Sequence, residues 1–383
     1  MQTHAEQGLM AVAPAPDSLA ERIAAVHQVI ALRYPGVDRM AVAIYDPATD
    51  LLKTFASSNL GGPALLGHEA RLSEVPSLQA LAQARQSRLV RDIDARFHTD
   101  SPHTAWLKQQ GYRSSYTVPV YQGTDLAAFV FFDSQQLEFF DLAATQFLDV
   151  FADLIAQLYL LQLRTVRSLI GTVRVASGLA KVRDLETGSH LERMANYSRL
   201  MARALAGKHG LPDEFVEYVH LFAPLHDIGK VGIPDSVLLK PGRLNEDEWL
   251  IMRRHVEIGE QLVGQIARDM GLDEGMATRV MRNIVAEHHE RGDGSGYPRG
   301  LQREQIALEA RIVAVADVYD ALANRRPYKQ AWDEAAIVAE LDREVAAGRL
   351  DGECVAVLLA AADERRHIQA AFADPVLLDD GKG

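Results

Sequence analysis

A chain of 383 residues exceeds what a single hydrophobic core usually fills, so two domains are expected. Apolar residues at 48% and charged residues at 24% are the balance of a folded protein and exclude a disordered or fibrous one. A net charge of -12 excludes general attraction to nucleic acid, the lone Cys354 excludes an intramolecular disulfide, and Asp149, Asp153, Gln157 and Gln162 interrupt the longest stretch before it reaches the roughly 18 apolar residues of a membrane span.

Residues 1–18 lack a basic start, an apolar run and a small-residue cleavage site, so they read as a flexible tail, and the cytoplasm is the expected location. Leu19, Ile23, Val26 and Ile30 recur at helical spacing and predict a helix over 18–34. Met40 to Tyr45 and Leu51 to Phe55 flank the turn residues Asp46 to Asp50, the pattern of a β-hairpin. A second pair, Ser114 to Tyr121 and Leu126 to Asp133, brackets Gln122 to Asp125, and short helices are expected over 78–84 and 104–110. From Phe140 through Phe147, Phe151, Leu154, Leu158, Leu161, Val166 and Leu169 runs an apolar stripe with few breakers, read as one long helix or two in series. Beyond residue 183 the periodicity stays helical, with Gly and Pro only at punctuation points.

The strand pairs with interposed helices, and Gly111-Tyr-Arg-Ser-Ser115 leading into Val118-Pro-Val-Tyr121, resemble a GAF domain. That resemblance implies an α/β GAF-like domain with an antiparallel sheet over 19–138; the apolar stripe then gives a linking helix over 139–182, and the helical periodicity an all-α domain over 183–383. No Cys or His cluster marks a haem or bilin site, so two readings stay open for the first domain: a sensor with an unidentified ligand, or a dimerisation and spacer unit. A stripe between two domains also suits a parallel helical pair, hence a homodimer.

The second domain holds the chemistry. Glu186 and His190 stand four residues apart, on one face of a helix. His226, Asp227 and Lys230 fall within five residues, with Gly229 permitting close backbone approach. His255 ends Met252-Arg-Arg-His255, His288 and His289 precede the glycine-rich Glu290-Arg-Gly-Asp-Gly-Ser-Gly-Tyr-Pro298, and Asp317 sits in an apolar helix. Singly, each reads as an ordinary helix residue. Jointly, Glu186, His190, His226, Asp227, His255, His288, His289 and Asp317 are mixed nitrogen and oxygen donors, too many for one ion and suited to two or three.

These motifs resemble the HD-GYP family of the HD phosphohydrolases: His226-Asp227 matches the HD pair and Gly296-Tyr297-Pro298 the GYP signature. Membership implies a metal-dependent phosphodiesterase that opens cyclic di-GMP to linear pGpG or GMP. The cofactors implied are two or three divalent ions, Fe or Mn, held by the residues above, with Glu186 marking the third. Asp227 and Lys230 carry catalysis in such enzymes, Lys230 at the scissile phosphate or leaving oxygen. Arg326, Lys329, Gly296 and Tyr297 match substrate contacts, and Asp320, one turn from Asp317, suits a residue that orients a ligand. The Gly-Tyr-Pro loop is also a candidate surface for a protein partner. Gly292, Val256 and Ala307 depart from the family pattern, and Gly292 implies a looser loop. Two alternatives remain: hydrolysis of another cyclic dinucleotide such as cyclic GMP-AMP, and a catalytically weak cyclic di-GMP receptor. Neither a membrane nor a nucleic-acid partner is expected.

Overall fold

The computed structural model describes residues 18–158 except 48, 63, 64, 66 and 98–101, residue 171, and residues 188–374 except 270–274 and 325–331. Helix α1 (Leu19–Arg33) begins where the Ser18 hydroxyl accepts the Glu21 amide, and it buries Leu19, Ile23 and Ile30 at the predicted spacing. Strands β1 (Arg39–Asp46) and β2 (Leu51–Asn59) form the expected hairpin. β3 (Glu69–Arg71), helix α2 (Pro76–Ala84), β4 (Arg88–Val90) and helices α3 (Ile93–Arg96) and α4 (Pro102–Gln109) follow. The second hairpin, β5 (Ser114–Gln122) and β6 (Asp125–Ser134), turns at Gly123, whose φ of +64° favours glycine.

The strands make one antiparallel sheet in the order β3-β2-β1-β6-β5-β4. Neither β3 nor β4 was expected, because three residues are too few to display alternation. One sheet face, with Met40, Val42, Val130 and Phe132, packs on α1 and on helix α5 (142–158) through Leu148, Ala152 and Ile155. The other face carries Ala41, Ala43, Phe129 and Phe131 beneath Leu72, Leu78 and Leu81. The rest of the expected linking helix, 159–182 apart from residue 171, lies outside the described residues.

The second domain is helical, with no strand among its described residues. Its helices are α6 (Gly188–Ala206), α7 (Asp213–Phe222), α8 (Asp235–Leu238), α9 (Glu246–Arg253), α10 (His255–Asp269), α11 (Met276–Glu287), α12 (Leu308–Ala323), α13 (Glu334–Ala346), α14 (Gly352–Ala360) and α15 (Ala362–Ala371). Met194, Met201, Val219, Ile284, Val313 and Leu358 pack in its fully buried core. No described helix is long and apolar enough to cross a membrane.

The domains meet along α6 and the first half of α7. The Leu19 amide donates to Glu214 Oε2 at 3.0 Å, and the Gly67 amide to Asp213 Oδ1 at 2.8 Å. Thr54 also donates to Asp213, and Lys53 Nζ lies 3.5 Å from Glu217 Oε1. Glu69 takes Arg199 and, at 2.9 Å, Arg203. Beneath these polar contacts the Phe55 and Tyr218 rings meet edge to face.

Candidate metal centre

Helix α7 ends at Phe222, and a 3₁₀ turn over Ala223–Leu225 delivers His226 and Asp227 before a second such turn, Ile228–Gly232. This segment is pressed against the start of α10. A Cβ on Gly229 would lie 1.8 Å from the His255 carbonyl oxygen, so only glycine allows the approach.

The approach sets the two oxygens of the Asp227 carboxylate to face different neighbours. Oδ1 stands 3.0 Å from His255 Nε2 and 3.7 Å from His288 Nε2, whereas Oδ2 stands 3.2 Å from His226 Nε2 and 2.8 Å from Lys230 Nζ. Two donor groups result. Asp227, His255, His288 and His289 form one, and His190, His226 and Asp317 the other; within each group the donor atoms lie within 4.8 Å of one another.

Hydrogen bonds at the far side of the imidazoles fix their tautomers. His226 Nδ1 donates to the Ala223 carbonyl at 2.9 Å, His255 Nδ1 to Met252 at 2.8 Å, and His288 Nδ1 to Ile284 and Val285 at 3.1 Å. A carbonyl only accepts, so Nδ1 carries a proton and each ring turns its Nε2 toward the site. Burial lowers the pKa of His288 against the opposing pull of Asp227; burial and then His288 hold His289 well below the usual range. Burial acts to raise the Asp227 pKa, but Lys230 and His226 prevail and keep its carboxyl well below the ordinary value. Lowered imidazole pKa values at His288 and His289 beside an ionised Asp227 favour the protonation states that cation binding requires. The buried His255 Nε2, His288 Nε2 and Asp227 Oδ1 make no well-formed hydrogen bond, and the donor set therefore fits divalent ions.

Supporting groups surround the donors. His190 Nδ1 donates to Asp320 Oδ2 at 2.7 Å, and the buried Arg193 binds the same carboxylate through Nε at 2.6 Å and Nη2 at 3.0 Å. After α11 the chain folds back so that Glu290 accepts the Arg299 and Leu301 amides at 2.7 and 2.9 Å. Gly296 packs so tightly there that a Cβ would fall 2.3 Å from the Arg291 nitrogen. The turn brings Tyr297 onto His289, ring centroids 4.7 Å apart, with the Arg253 guanidinium 4.8 Å from the Tyr297 centroid.

Gly292 does not loosen this loop, contrary to expectation. Its carbonyl accepts the Arg303 amide at 3.2 Å, and a Cβ would come within 2.6 Å of the Gly348 oxygen, so the backbone is closely packed where a larger residue would clash. Glu186, Arg326 and Lys329 lie outside the described residues. The sequence alone assigns no role to Arg193, Glu290 or Arg253. The first carried a signal, since it stands three residues after His190 on one helical face.

Comparison with known proteins bears on both halves. An HD domain model matches residues 184–354 and a GAF domain model residues 18–158. The chain is 47% identical over 191 residues to the cyclic di-GMP phosphodiesterase response regulator RpfG of Xanthomonas campestris pv. campestris, covering 50% of this chain and 47% of that protein. It is 45% identical over 171 residues to a cyclic di-GMP phosphodiesterase of Vibrio cholerae, covering 43% and 34% of the two chains. The 3'3'-cGAMP-specific phosphodiesterase 2 of Vibrio cholerae is 40% identical over 195 residues, with coverage of 51% and 35%. The chain thus spans less than half the length of these relatives. It carries a GAF domain followed by a helical HD domain, and the HD domain implies binding of divalent metal.

Proposed function

We propose that this chain is a metal-dependent phosphodiesterase that hydrolyses cyclic di-GMP to pGpG or GMP under the control of its GAF domain. One observation carries the reading: the Asp227 carboxylate lies between two imidazole-containing donor groups, with one oxygen toward His226 and the other toward His255 and His288. Asp227 suits a bridging ligand, with His255, His288 and His289 on one side and His190, His226 and Asp317 on the other. Glu186 is assigned a third ion, and the mixed set of imidazole and carboxylate donors suits Fe or Mn. Divalent ions bound here would supply a nucleophile from water and neutralise charge on the reacting phosphate.

The remaining roles belong to the chain. Lys230, 2.8 Å from Asp227 Oδ2, is placed to protonate the leaving oxygen or offset charge on the phosphate. Tyr297 and Gly296 form the wall that receives the substrate, while Arg326 and Lys329 are assigned phosphate and guanine contacts. Asp320 and Arg193 hold the His190 ring in one orientation.

The division into tail 1–18, sensor 19–138, linker 139–182 and catalytic domain 183–383 is part of this reading, as is a cytoplasmic location. A parallel homodimer is favoured by Leu142, Val150 and Leu154, which stand 74, 66 and 48% exposed along α5. The Gly-Tyr-Pro loop remains the proposed surface for a protein partner. A second reading, preference for cyclic GMP-AMP, is favoured by the relative named for that substrate. The test is to purify the protein anaerobically, count bound metals per chain, and follow cyclic di-GMP and 3'3'-cGAMP by chromatography. Chelation should abolish turnover, and Fe(II) or Mn(II) should restore it. Tight cyclic di-GMP binding with no turnover under any metal would instead support a receptor.

A further inference from the structure

Glu287 closes α11 and stands directly before His288 and His289, yet it is only 7% exposed. A carboxylate is costly to bury unless it is hydrogen-bonded, and this one is bonded to two separate parts of the chain. Its Oε1 accepts Arg299 Nη2 at 3.0 Å, and its Oε2 accepts the Ala307 amide at 2.8 Å. Glu287 itself lies outside both donor groups.

The two oxygens reach the supports of different donor groups. Arg299 follows shortly after Tyr297, whose amide donates to the His289 carbonyl at 3.2 Å and whose ring stacks on the His289 ring. Oε1 therefore braces the turn that rests on the group of Asp227, His255, His288 and His289. Ala307 is the capping residue of α12, the helix that carries Asp317 and Asp320. Asp317 belongs to the other group, and Asp320 accepts Nδ1–H of His190, a second member of it. Two members of that group thus take their place from α12. One turn before Glu287, Asn283 Nδ2 donates to Glu309 Oε1 at 2.8 Å, so the same face of α11 fastens the first turn of α12 as well.

We infer that Glu287 is a positioning residue for the metal centre: through Ala307 it sets where α12, and with it Asp317 and His190, stands relative to His288 and His289 at the end of α11. The inference rests on the proposed reading in which Asp227 bridges two ions. A single carboxylate spans ions only about 3.5–4 Å apart, so the separation of the two groups has to be held by the scaffold behind them. Glu287 holds it at the point where the two helices meet.

Ala307→Pro tests the Oε2 contact with little backbone strain of its own. Ala307 has φ −57°, and Ile306 has φ −82° and ψ 126°, values that suit proline and the residue before it. Proline removes the amide proton and sets a methylene against the Glu287 oxygen. Calorimetric titration of the metal-stripped full chain with Mn(II) should show one ion bound as in the wild type and another bound about tenfold or more weakly, the usual cost of losing a group that orients a ligand. Glu287→Ala should weaken the same ion, and Ala307→Pro added to it should weaken that ion no further, because the contact is already gone. Cooperative melting of each metal-free variant checks that it is folded. The inference is overturned if Ala307→Pro leaves both ions unchanged, if it weakens both alike, or if the two substitutions add. A wild type that takes up fewer than two ions refutes the bridged pair and this inference with it, whereas two ions in the wild type and unaltered affinities in the variants refute this inference alone.

Discussion

Glu214 joins the two domains and makes their contact sensitive to pH. It is fully buried at the start of α7, its Oε2 accepts the Leu19 amide at 3.0 Å, and its Oε1 has no hydrogen-bond partner. Burial raises its pKa from 4.5 to about 7 against the opposing hydrogen bonds from Leu19 and Ser18. A raised acid binds its proton more tightly when folded. Its contribution to stability is therefore fully present below pH 4.5 and is lost as pH climbs through about 7. The interval between those values corresponds to about 3 kcal/mol at pH above both. Glu214→Gln keeps the shape and an acceptor but removes the charge. Its extra N–H donors carry a desolvation cost that does not vary with pH, so the informative quantity is the change between two pH values. Calorimetric melting of variant and wild type at pH 5 and pH 8 should show the variant gaining several degrees more at pH 8, at roughly 2–4 °C per kcal/mol for a domain of this size. An equal difference at both pH values, or a larger one at pH 5, would refute the assignment of the buried charge.

The proposed function of the helical domain yields further tests. Asp227→Ala should abolish turnover and lower metal content, because one carboxylate faces both donor groups; unchanged metal content by plasma emission spectroscopy contradicts this. Lys230→Ala should lower kcat by roughly 10² with metal retained, whereas Arg326→Ala should chiefly raise KM, and steady-state kinetics distinguishes the two. Gly229→Ala should displace His255, since the added carbon would sit 1.8 Å from its carbonyl oxygen, with a destabilisation of about 1–3 kcal/mol and loss of bound metal. Normal metal content in that variant would show that the contact relaxes elsewhere.

Much of this was legible because it is local. Two long hairpins and the first helix are visible in period-2 and period-3.6 patterns, and the donors stand in short motifs of characteristic spacing. What escaped was of two kinds. The edge strands β3 and β4 are too short to show a pattern and exist because a neighbouring strand offers free backbone groups. Partnerships across long separations also escaped. Arg39 and Asp133 are far apart in sequence and look like ordinary strand-end charges, and only the pairing of β1 with β6 brings them together under the surface. The Gly292 misreading has the same origin: its packing partner, Gly348, lies in another element.

The element least conspicuous in sequence is the one that connects the two halves. Helix α7 presents Asp213, Glu214 and Glu217 to the first domain within its first half, and four residues past its end the chain reaches His226. A helix transmits axial displacement because its backbone hydrogen bonds make it stiff along its length. Any change in the sheet that altered how Lys53, Thr54 or Gly67 holds the start of α7 would therefore act on the geometry of His226 and Asp227. The opposite wall, His255, allows little movement to pass unnoticed, because Gly229 is already in contact with its backbone. Lys53→Met removes the ammonium that faces Glu217 without touching a donor residue, so it should change turnover at saturating metal while leaving metal content intact. Turnover equal to that of the wild type would refute transmission through α7.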